Sequence, residues 1–415
     1  MHISDLDADT RTADADRDSI DGVVPEMVVQ PQTPAAVASV LAWAAERRLS
    51  VVLQGAGTKR RWGRRPSRIG ILVDLRRLCR VIDHRHGDLT VTVESGLTLR
   101  DLNAALRVHG QQLPLDPPFA DRATIGGLLA TTDSGPARHR HGTPRDLVIG
   151  VQLATTDGKL TKAGGQVVKN VAGYDLSKLV CGSFGTLAAI VSATFKVSPI
   201  PAVSRTLRIE THGGGPLAQV VESIDRSQLE PLAFEAHVRR NVPDLGDVTA
   251  CLLRFASGAA AVAAQADDAG ARAIAAGARF DSFADEAEAA LWGAHVLDTD
   301  DPSACVARVS WSPADLARVV ALLELVAADA GVELIGRAGT GAGQIRITGD
   351  VGCQARAVER LRTSDVVGNV VVTTATPELK SSLDVWGAVG NTAIIQAVKR
   401  AMDAQGTLGA GRAAW

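Results

Sequence analysis

Residues 51–63 read VVLQGAGTKRRWG, in which an apolar segment leads directly into a glycine turn. Val51–Leu53 predicts a buried strand, and a turn through Gly55 and Gly57 exposes backbone N–H groups that can hold phosphate oxygens. The stretch is not a GxGxxG fingerprint, because position 60 is Arg60, and it lacks the GK[ST] of a Walker A loop. Considered alone, a purely structural glycine turn is the favoured interpretation.

A run of basic side chains begins within this turn. It consists of Lys59, Arg60, Arg61, Arg64, Arg65 and Arg68. A solvated charged loop, a nucleic-acid patch and charge compensation of a pyrophosphate are three interpretations of the run. The whole-chain net charge of −2 disfavours the nucleic-acid patch.

Two later segments also combine glycine with small residues. Residues 123–135 read ATIGGLLATTDSG, and the two glycines open a predicted helix whose N-terminus favours phosphate, with close helix–strand packing as the alternative. Residues 167–190 read VVKNVAGYDLSKLVCGSFGTLAAI and contain the only tyrosine, Tyr174. Asp175 can cap a helix over 176–181. The backbone of such a loop can bond a flat heterocycle, while a buried ring with a satisfied hydroxyl is the alternative for Tyr174.

The length of 415 residues predicts two or three domains. Residues 1–22 contain seven Asp and few apolar residues, which predicts a disordered acidic tail. Prolines at 199 and 201 mark a boundary. Residues 204–374 then alternate predicted strands and helices in the manner of an antiparallel sheet with helices on one face, so the predicted fold class is α+β.

Several classes of protein are disfavoured by composition. The five cysteines lie far apart and form no CxxC, which argues against a metal or iron–sulfur site and is typical of a reducing cytoplasm. No apolar run reaches the ~18 residues of a membrane span, and the start of the sequence has no secretory pattern. We therefore expect a cytoplasmic protein without a membrane span of its own.

The three glycine segments together resemble one family. The matching stretches are QGAGTKRRWG at 54–63, DPPFADRATIGGLLATTDSGP at 116–136, HGTPRDLVIGVQLATTDGKL at 141–160 and GGQVVKNVAGYDLSKLVCGSFGTLAAI at 164–190. They resemble flavoproteins with the FAD-binding domain of the p-cresol methylhydroxylase (PCMH) and vanillyl-alcohol oxidase type, and among these the FAD-binding subunits of bacterial glycolate oxidases. KRAMDAQGTLGAGR at 399–412 resembles the family's closing pattern more loosely, since Ala404 and Ala410 stand where prolines are usual.

The resemblance implies a two-part PCMH-type FAD-binding domain at 23–202, an α+β cap domain at 203–375 and a C-terminal segment at 376–415 whose helix returns to the FAD domain. It implies FAD as cofactor. The first loop lacks the histidine that tethers FAD in some relatives, so the expected binding is non-covalent. The cofactor-binding residues that it implies are Gly55, Ala56, Gly57, Thr58, Lys59, Pro118, Thr124, Ile125, Gly126, Gly127, Ser134, Gly135, Tyr174, Asp175, Gly185 and Ile190. Tyr174 and Asp175 are expected on a wall of the flavin pocket.

The catalytic base stays unassigned. Related 2-hydroxy-acid dehydrogenases carry an HxGDGNxH-type motif in the cap domain, whereas the cap histidines here, His212, His237 and His295, are isolated in sequence. His139 and His141 are expected to be solvated on a basic loop.

Two functions are therefore weighed, with a third that is weaker. In the first, the chain is the FAD subunit of a glycolate oxidase complex acting on a small 2-hydroxy acid, with a second FAD-linked subunit and an iron–sulfur subunit as partners. In the second, it is a self-sufficient FAD oxidoreductase of another small alcohol or hydroxy acid. The third is a non-catalytic scaffold subunit.

Overall fold

The computed structural model describes residues 7–165, 174–299 and 301–414. Helices and strands are both abundant, which confirms the predicted α+β class. The chain forms two compact units. The first combines the segment up to Gly135, Gly142–Ile200 and the segment from Ala388 onward, and the second combines Pro136–His141 with Pro201–Gly387.

The first unit contains a small sheet of four strands. Their order is Ala8–Thr12, Met27–Pro31, Ile71–Asp74 and Val51–Gln54. The first pair is antiparallel and the other pairs are parallel. Helix Pro34–Glu46 supplies the crossover between the parallel strands, and its N-terminus is capped by Thr33, whose hydroxyl accepts from Ala36 N at 3.1 Å. Val37, Leu41, Val51 and Ile71 pack into one core between helix and sheet.

A second sheet in the same unit is entirely antiparallel. The order of its five strands is Val81–Arg85, Thr90–Glu94, Ala189–Lys196, Val148–Ala154 and Leu160–Gly164. Its apolar face packs on helices Leu99–Arg107 and Ile125–Thr131. The other helices of this unit are Ala15–Asp18, Pro144–Leu147, Leu176–Val180 and Thr392–Met402, with 3₁₀ turns at Leu75–Arg77 and His86–Asp88 and a two-strand pair of Gln111–Gln112 with Ser198–Pro199.

The predicted disordered tail is wrong for the described residues of 1–22. Ala8–Thr12 pairs with Met27–Pro31 along its full length. Asp18 is buried and accepts from the Arg11 guanidinium at 2.5 and 2.8 Å, and that hydrogen bond lowers the pKa of Asp18 to about 2. Ile20 enters an apolar cluster. The prediction failed because it counted acidic charge and overlooked the arginine that compensates one buried carboxylate.

The C-terminal segment adds to the edge of the four-stranded sheet. Thr407 O accepts from Val51 N at 2.8 Å, and Gly409 N donates to Val51 O at 2.9 Å, with Leu408 bridged in parallel to Val51. Lys399 ties this segment down, because its Nζ contacts Asp403 Oδ2 at 2.5 Å and donates to Leu408 O at 3.0 Å. Leu408 completes the core beneath the sheet.

The second unit is built on one antiparallel sheet of eight strands. Their order is Arg279–Phe283, Val203–Glu210, Val248–Ser257, Ala233–Arg240, Gly331–Arg337, Ala342–Thr348, Cys305–Trp311 and Val367–Thr374. Its helices are Arg138–His141, Gly214–Asp225, Ala259–Ala275, Asp285–Ala294, Leu316–Val326, Val351–Thr363 and Pro377–Ser382, with a 3₁₀ turn at Pro313–Asp315.

Alternate residues of these strands point into one apolar core, as period-two strands require. Phe234, Ala236 and Val238 belong to that core, whereas Glu235 and His237 lie on the opposite face. No helix in the described residues is long and apolar enough to cross a membrane.

Candidate functional site

A cavity opens in the first unit where its glycine segments meet. Its empty space amounts to about 810 Å³, including the mouth that opens to solvent. The lining residues are Ile20, Val52, Leu53, Gln54, Gly55, Ala56, Gly57, Thr58, Lys59, Arg60, Leu75, Ser95, Thr124, Gly126, Gly127, Ala130, Thr131, Phe184, Gly185, Ala188, Ile190 and Arg412. The three segments singled out in the sequence therefore share one cavity.

The first loop follows strand Val51–Gln54 and presents bare backbone to the cavity. Gly57 has φ +76°, a conformation that glycine adopts without strain. The N–H groups of Gly55, Ala56, Gly57 and Thr58 donate to no partner within the described residues. Consecutive unpaired N–H groups in such a turn form a concavity for anions.

The second segment packs against the first through small side chains. A Cβ on Gly55 would lie 2.0 Å from Thr124 Oγ1, and one on Gly126 would lie 2.8 Å from Ser95 Cβ. Both glycines are therefore needed for close packing, and for Gly126 this is the packing alternative weighed in the sequence analysis. A Cβ on Gly127 would meet only Thr124 Oγ1, at 3.2 Å. The absence of a side chain at Gly127 therefore leaves space in the cavity.

The backbone at the start of this helix is partly engaged already. Ile125 N donates to Leu97 O at 2.9 Å and Gly126 N donates to Ser95 O at 2.7 Å. These two N–H groups hold the helix to the neighbouring loop, so they are not available to a ligand.

The third segment contributes its glycine turn and the strand after it. Phe184 and Gly185 have φ +57° and +69°, and Gly185, Ala188 and Ile190 line the cavity. A Cβ on Gly185 would meet Leu53 Cδ1 at 3.5 Å. The turn thus brings backbone close to the strand that feeds the first loop.

Four of the predicted residues lie around the cavity without lining it in the described structure. Ile125 is buried in the apolar core. Ser134 is buried, and a Cβ on Gly135 would lie 1.8 Å from Asp116 O, which gives that glycine a packing role. Pro118 O accepts from Lys59 Nζ at 3.4 Å, so Pro118 positions a residue that does line the cavity.

The placement of Tyr174 and Asp175 on a cavity wall is wrong in the described structure. Tyr174 is 93% exposed. Asp175 is exposed too, and its carboxylate caps helix Leu176–Val180 by accepting from Lys178 N at 3.1 Å. Glycines beside an aromatic residue suggested a ligand wall, but here they flank a helix start at the surface. The remainder of that predicted loop, residues 167–173, lies outside the described residues.

Two features of the cavity match a polar ligand. Gln54 Oε1 and Ser95 Oγ are buried in its lining and have no hydrogen-bond partner within the described residues. Buried polar atoms are normally paired, so each is ready to bond a ligand atom. Together with the bare N–H groups of the first loop, they fit a cofactor that carries phosphates and polar ring atoms.

Sequence reasoning missed several lining residues. Ile20 is a single apolar residue in an acidic stretch, Ser95 follows a strand, and Phe184 stands between two glycines. Arg412 comes from the C-terminal GAGR stretch and is 6% exposed. Its position directly after Gly411, at the end of the loosely matching stretch 399–412, was the one available signal.

The second unit holds a separate cluster of ionisable side chains on the polar face of its sheet. Glu235 is fully buried and its Oε1 accepts from Arg337 Nε at 2.9 Å. His237 Nε2 is hydrogen-bonded to Glu333 Oε1 at 2.8 Å, and the His237 and His295 rings are 5.3 Å apart. Burial, followed by the nearby His237 and Arg337, lowers the pKa of His295 to about 3. Two of the three cap histidines that looked isolated in sequence, His237 and His295, are therefore neighbours.

The predicted solvation of His139 and His141 is wrong. Both are half-buried, and burial lowers the pKa of each. The His139 ring packs edge-on against Phe234, with 5.9 Å between centroids. Adjacent arginines suggested an exposed loop, but helix Arg138–His141 belongs to the second unit. No group of three or more metal-ligating side chains converges within the described residues.

Residues 25–164 match a protein-family model described as "FAD binding domain". The chain is 38% identical over 183 residues to glycolate oxidase subunit GlcE of Escherichia coli (strain K12), covering 44% of this chain and 51% of that protein. It is 30% identical to glycolate oxidase subunit GlcD of Bacillus subtilis (strain 168), covering 51% of this chain and 45% of that protein. D-lactate dehydrogenase of Archaeoglobus fulgidus is 31% identical, and the match covers 52% of this chain and 48% of that protein. The chain thus spans about half the length of these curated relatives.

Solved structures share the fold over nearly the whole chain. A chitooligosaccharide oxidase superposes with a TM-score of 0.71 at 13% identity, and the match covers 99% of this chain and 97% of the oxidase chain. A carbohydrate oxidase from Microdochium nivale gives a TM-score of 0.72 at 14% identity, with 99% and 98% covered.

The cavity and these likenesses define the class of the matched segment: residues 25–164 form an FAD-binding domain. The predicted cofactor, FAD, is confirmed by this domain.

Proposed function

We propose that the chain is the FAD-binding subunit of a glycolate oxidase complex and takes part in the oxidation of glycolate to glyoxylate. The observation that carries this proposal is the 38% identity to a glycolate oxidase subunit over 183 residues. In this proposal, the FAD-binding domain consists of residues 23–202 together with residues 376–415. The cap domain consists of residues 203–375. FAD supplies a hydride acceptor for the α-carbon of the substrate.

Most of the predicted cofactor residues have a role in this proposal. The N–H groups of the first loop would hold the pyrophosphate, Gly127 would leave room for it, and Gly185 and Ile190 would line the part of the cavity that takes the flavin ring. Binding is non-covalent. This is supported by the cavity lining, which includes no histidine, cysteine or tyrosine among the described residues. Acid precipitation of the holoprotein should leave the flavin in the supernatant. Flavin retained in the pellet would contradict non-covalent binding.

The substrate chemistry is assigned to a partner subunit. Oxidation of a hydroxy acid needs a base for the hydroxyl proton. His295 is buried and neutral, and His237 is hydrogen-bonded to Glu333, so neither is well placed to serve as that base. A second FAD-linked subunit therefore carries the reacting site, and an iron–sulfur subunit passes electrons onward. Membrane association, where it occurs, goes through these partners.

A second candidate is a self-sufficient oxidoreductase of a small hydroxy acid. The cluster around Glu235, His237 and His295 favours it, because perturbed ionisable groups concentrate at functional sites.

Glycolate-dependent reduction of a dye distinguishes the two. The purified yellow chain should be inactive alone and active when combined with the second flavin subunit and the iron–sulfur subunit. Turnover by the chain alone, abolished in His295→Gln, would establish the second candidate. Activity of the two partner subunits without this chain, together with no turnover by the chain alone, would refute both.

A further inference from the structure

Ser95 is a buried serine in the wall of the cavity, and its hydroxyl is unpaired. The residue is 2% exposed, and its Oγ has no hydrogen-bond partner within the described residues. The main chain of Ser95 is fixed, because its N donates to Val191 O at 3.0 Å and its O accepts from Gly126 N at 2.7 Å. Buried hydroxyl groups are normally paired, so this one is ready to bond a ligand atom in the cavity.

Gln54 provides a second unpaired atom, at the start of the first loop. Its Oε1 is buried and has no hydrogen-bond partner in the part of the chain that the structure describes. That oxygen lies 3.5 Å from the position that a Cβ on Gly57 would take, so it borders the turn whose N–H groups can hold phosphate. The main chain of Gln54 is held in the sheet, where it pairs with Asp74.

The chemistry of Gln54 Oε1 argues against a phosphate oxygen as its partner. A carboxamide oxygen only accepts hydrogen bonds, and an ionised phosphate oxygen also only accepts, so the two atoms repel each other. The groups nearest to a pyrophosphate in a dinucleotide are sugar hydroxyls, which both donate and accept. A sugar hydroxyl would satisfy Gln54 Oε1, and it would satisfy Ser95 Oγ in either direction.

Ser95 reaches the cavity beside the second glycine segment. A Cβ on Gly126 would lie 3.5 Å from Ser95 Oγ, and Gly55 of the first loop packs on Thr124, two residues before Gly126. One short segment of small residues therefore separates Ser95 from the first loop. A dinucleotide carries a sugar on each side of its pyrophosphate, so a ligand whose phosphates lie on this loop can present hydroxyls to both Ser95 and Gln54.

We propose that Ser95 Oγ and Gln54 Oε1 bind the sugar hydroxyls that flank the pyrophosphate of FAD, on its ribityl chain and its ribose. Each atom gains on cofactor binding a hydrogen bond that it lacks in the protein. The two contacts would favour a sugar-bearing ligand over bare phosphate. The inference rests on the FAD site described above and is independent of glycolate as substrate.

The first test compares FAD affinity with the stability of the apoprotein. Ser95→Ala and Gln54→Met should each weaken FAD binding about fivefold in a fluorescence titration, because each removes one hydrogen bond to the cofactor. Neither change should lower the melting temperature of the apoprotein, because neither removes a hydrogen bond within the described residues. Ser183→Ala is the matched control: the Ser183 hydroxyl is also buried and unpaired in the described structure, but Ser183 is not among the lining residues. This variant should bind FAD like wild type.

FAD affinity within about twofold of wild type in both Ser95→Ala and Gln54→Met would overturn the proposal, and so would an equal loss in Ser183→Ala. A lower melting temperature of the apoprotein, or failure to fold, would show that the altered group belongs to the fold and would overturn its assignment. Wild-type chain that takes up no FAD would instead remove the cofactor site itself.

Inorganic pyrophosphate separates contacts to sugar from contacts to phosphate. It should raise the melting temperature of wild-type, Ser95→Ala and Gln54→Met apoprotein by the same amount at equal concentration, because it has no sugar. A smaller rise in either variant than in wild type would show a contact to phosphate and refute the sugar assignment. No rise in wild type would refute it as well, because the loop would then not hold the phosphates that place the sugars.

Discussion

The FAD cavity and the ionisable cluster on the eight-stranded sheet differ in how far their polar groups are paired. In the cavity, the N–H groups of Gly55–Thr58 and the side-chain oxygens of Gln54 and Ser95 have no partner within the described residues. In the cluster, Glu235 is bound by Arg337 and Glu333 by His237, and the exception is His295 Nε2, which has no hydrogen-bond partner within the described residues. Unsatisfied groups cost free energy that a ligand can recover, whereas satisfied groups mainly fix a fold. The comparison assigns cofactor binding to the first region and a structural role to the second.

The largest effect is expected from Glu235→Gln. Removing the carboxylate from a buried pair leaves the Arg337 charge without its main compensation, which should reduce the free energy of unfolding by about 3–5 kcal/mol. Chemical denaturation monitored by circular dichroism measures this. Glu230→Gln removes the exposed pair with Arg140 and should cost less than about 1 kcal/mol. Equal losses in the two variants would show that the cluster is not a structural unit.

A smaller effect is expected at the first loop. Gly57→Val places a β-branched residue at φ +76° and crowds the N–H groups, so FAD should bind at least tenfold more weakly, about 1.4 kcal/mol. Fluorescence titration of the folded variant measures it. Gly110→Val carries the same backbone strain at φ +65° with nothing near its Cβ, and it should keep wild-type affinity. FAD affinity unchanged in Gly57→Val would exclude this loop from the cofactor site.

The pH dependence of stability probes the cluster again. His295 has a folded-state pKa of about 3, below the value near 6.5 of an unfolded chain, so protonation favours unfolding. Its stabilising contribution is complete above about pH 6.5 and is lost as the pH falls toward 3, by about 1.4 kcal/mol per pH unit in between. Wild type and His295→Gln should therefore converge in stability on acidification. Parallel curves would show that His295 is already solvated.

The smallest effect is expected at the lone tyrosine. Tyr174→Phe should leave FAD affinity within about twofold of wild type, because the side chain is 93% exposed and isolated surface substitutions change little. A tenfold loss of FAD affinity in the same titration would show that Tyr174 contributes to the flavin site.

Regular elements were predictable where hydrophobic period and capping agreed. Helix Pro34–Glu46 begins with a capping threonine followed by proline, and strand Val148–Ala154 is a short, mainly apolar run, so both can be recognised from local sequence. Helix Asp285–Ala294 was missed, because alternating acidic and alanine residues give no apolar stripe. Strand Ala8–Thr12 was missed because its stability comes from pairing with a distant strand rather than from its own composition.

The cofactor site was predictable only in its continuous parts. Glycine loops can be recognised from a short stretch of sequence, since they need bare backbone at fixed positions. Arg412 and Ile20 reach the cavity through long-range contacts, with Leu408 beside Val51 and Ile20 beside Val52. The pairing of Lys59 with Asp133 likewise depends on a contact between residues far apart in sequence, which no local pattern encodes.

The C-terminal edge of the four-stranded sheet has a consequence for biosynthesis. Ile190, at one wall of the cavity, emerges from the ribosome more than two hundred residues before Arg412. At ordinary elongation rates this gap lasts on the order of ten seconds or longer. The nascent chain must therefore wait, with its glycine loops exposed, until the entire second unit has been translated. Flavin loading becomes a late, post-translational event, and ribosomes stalled within residues 201–387 should carry no tightly held flavin.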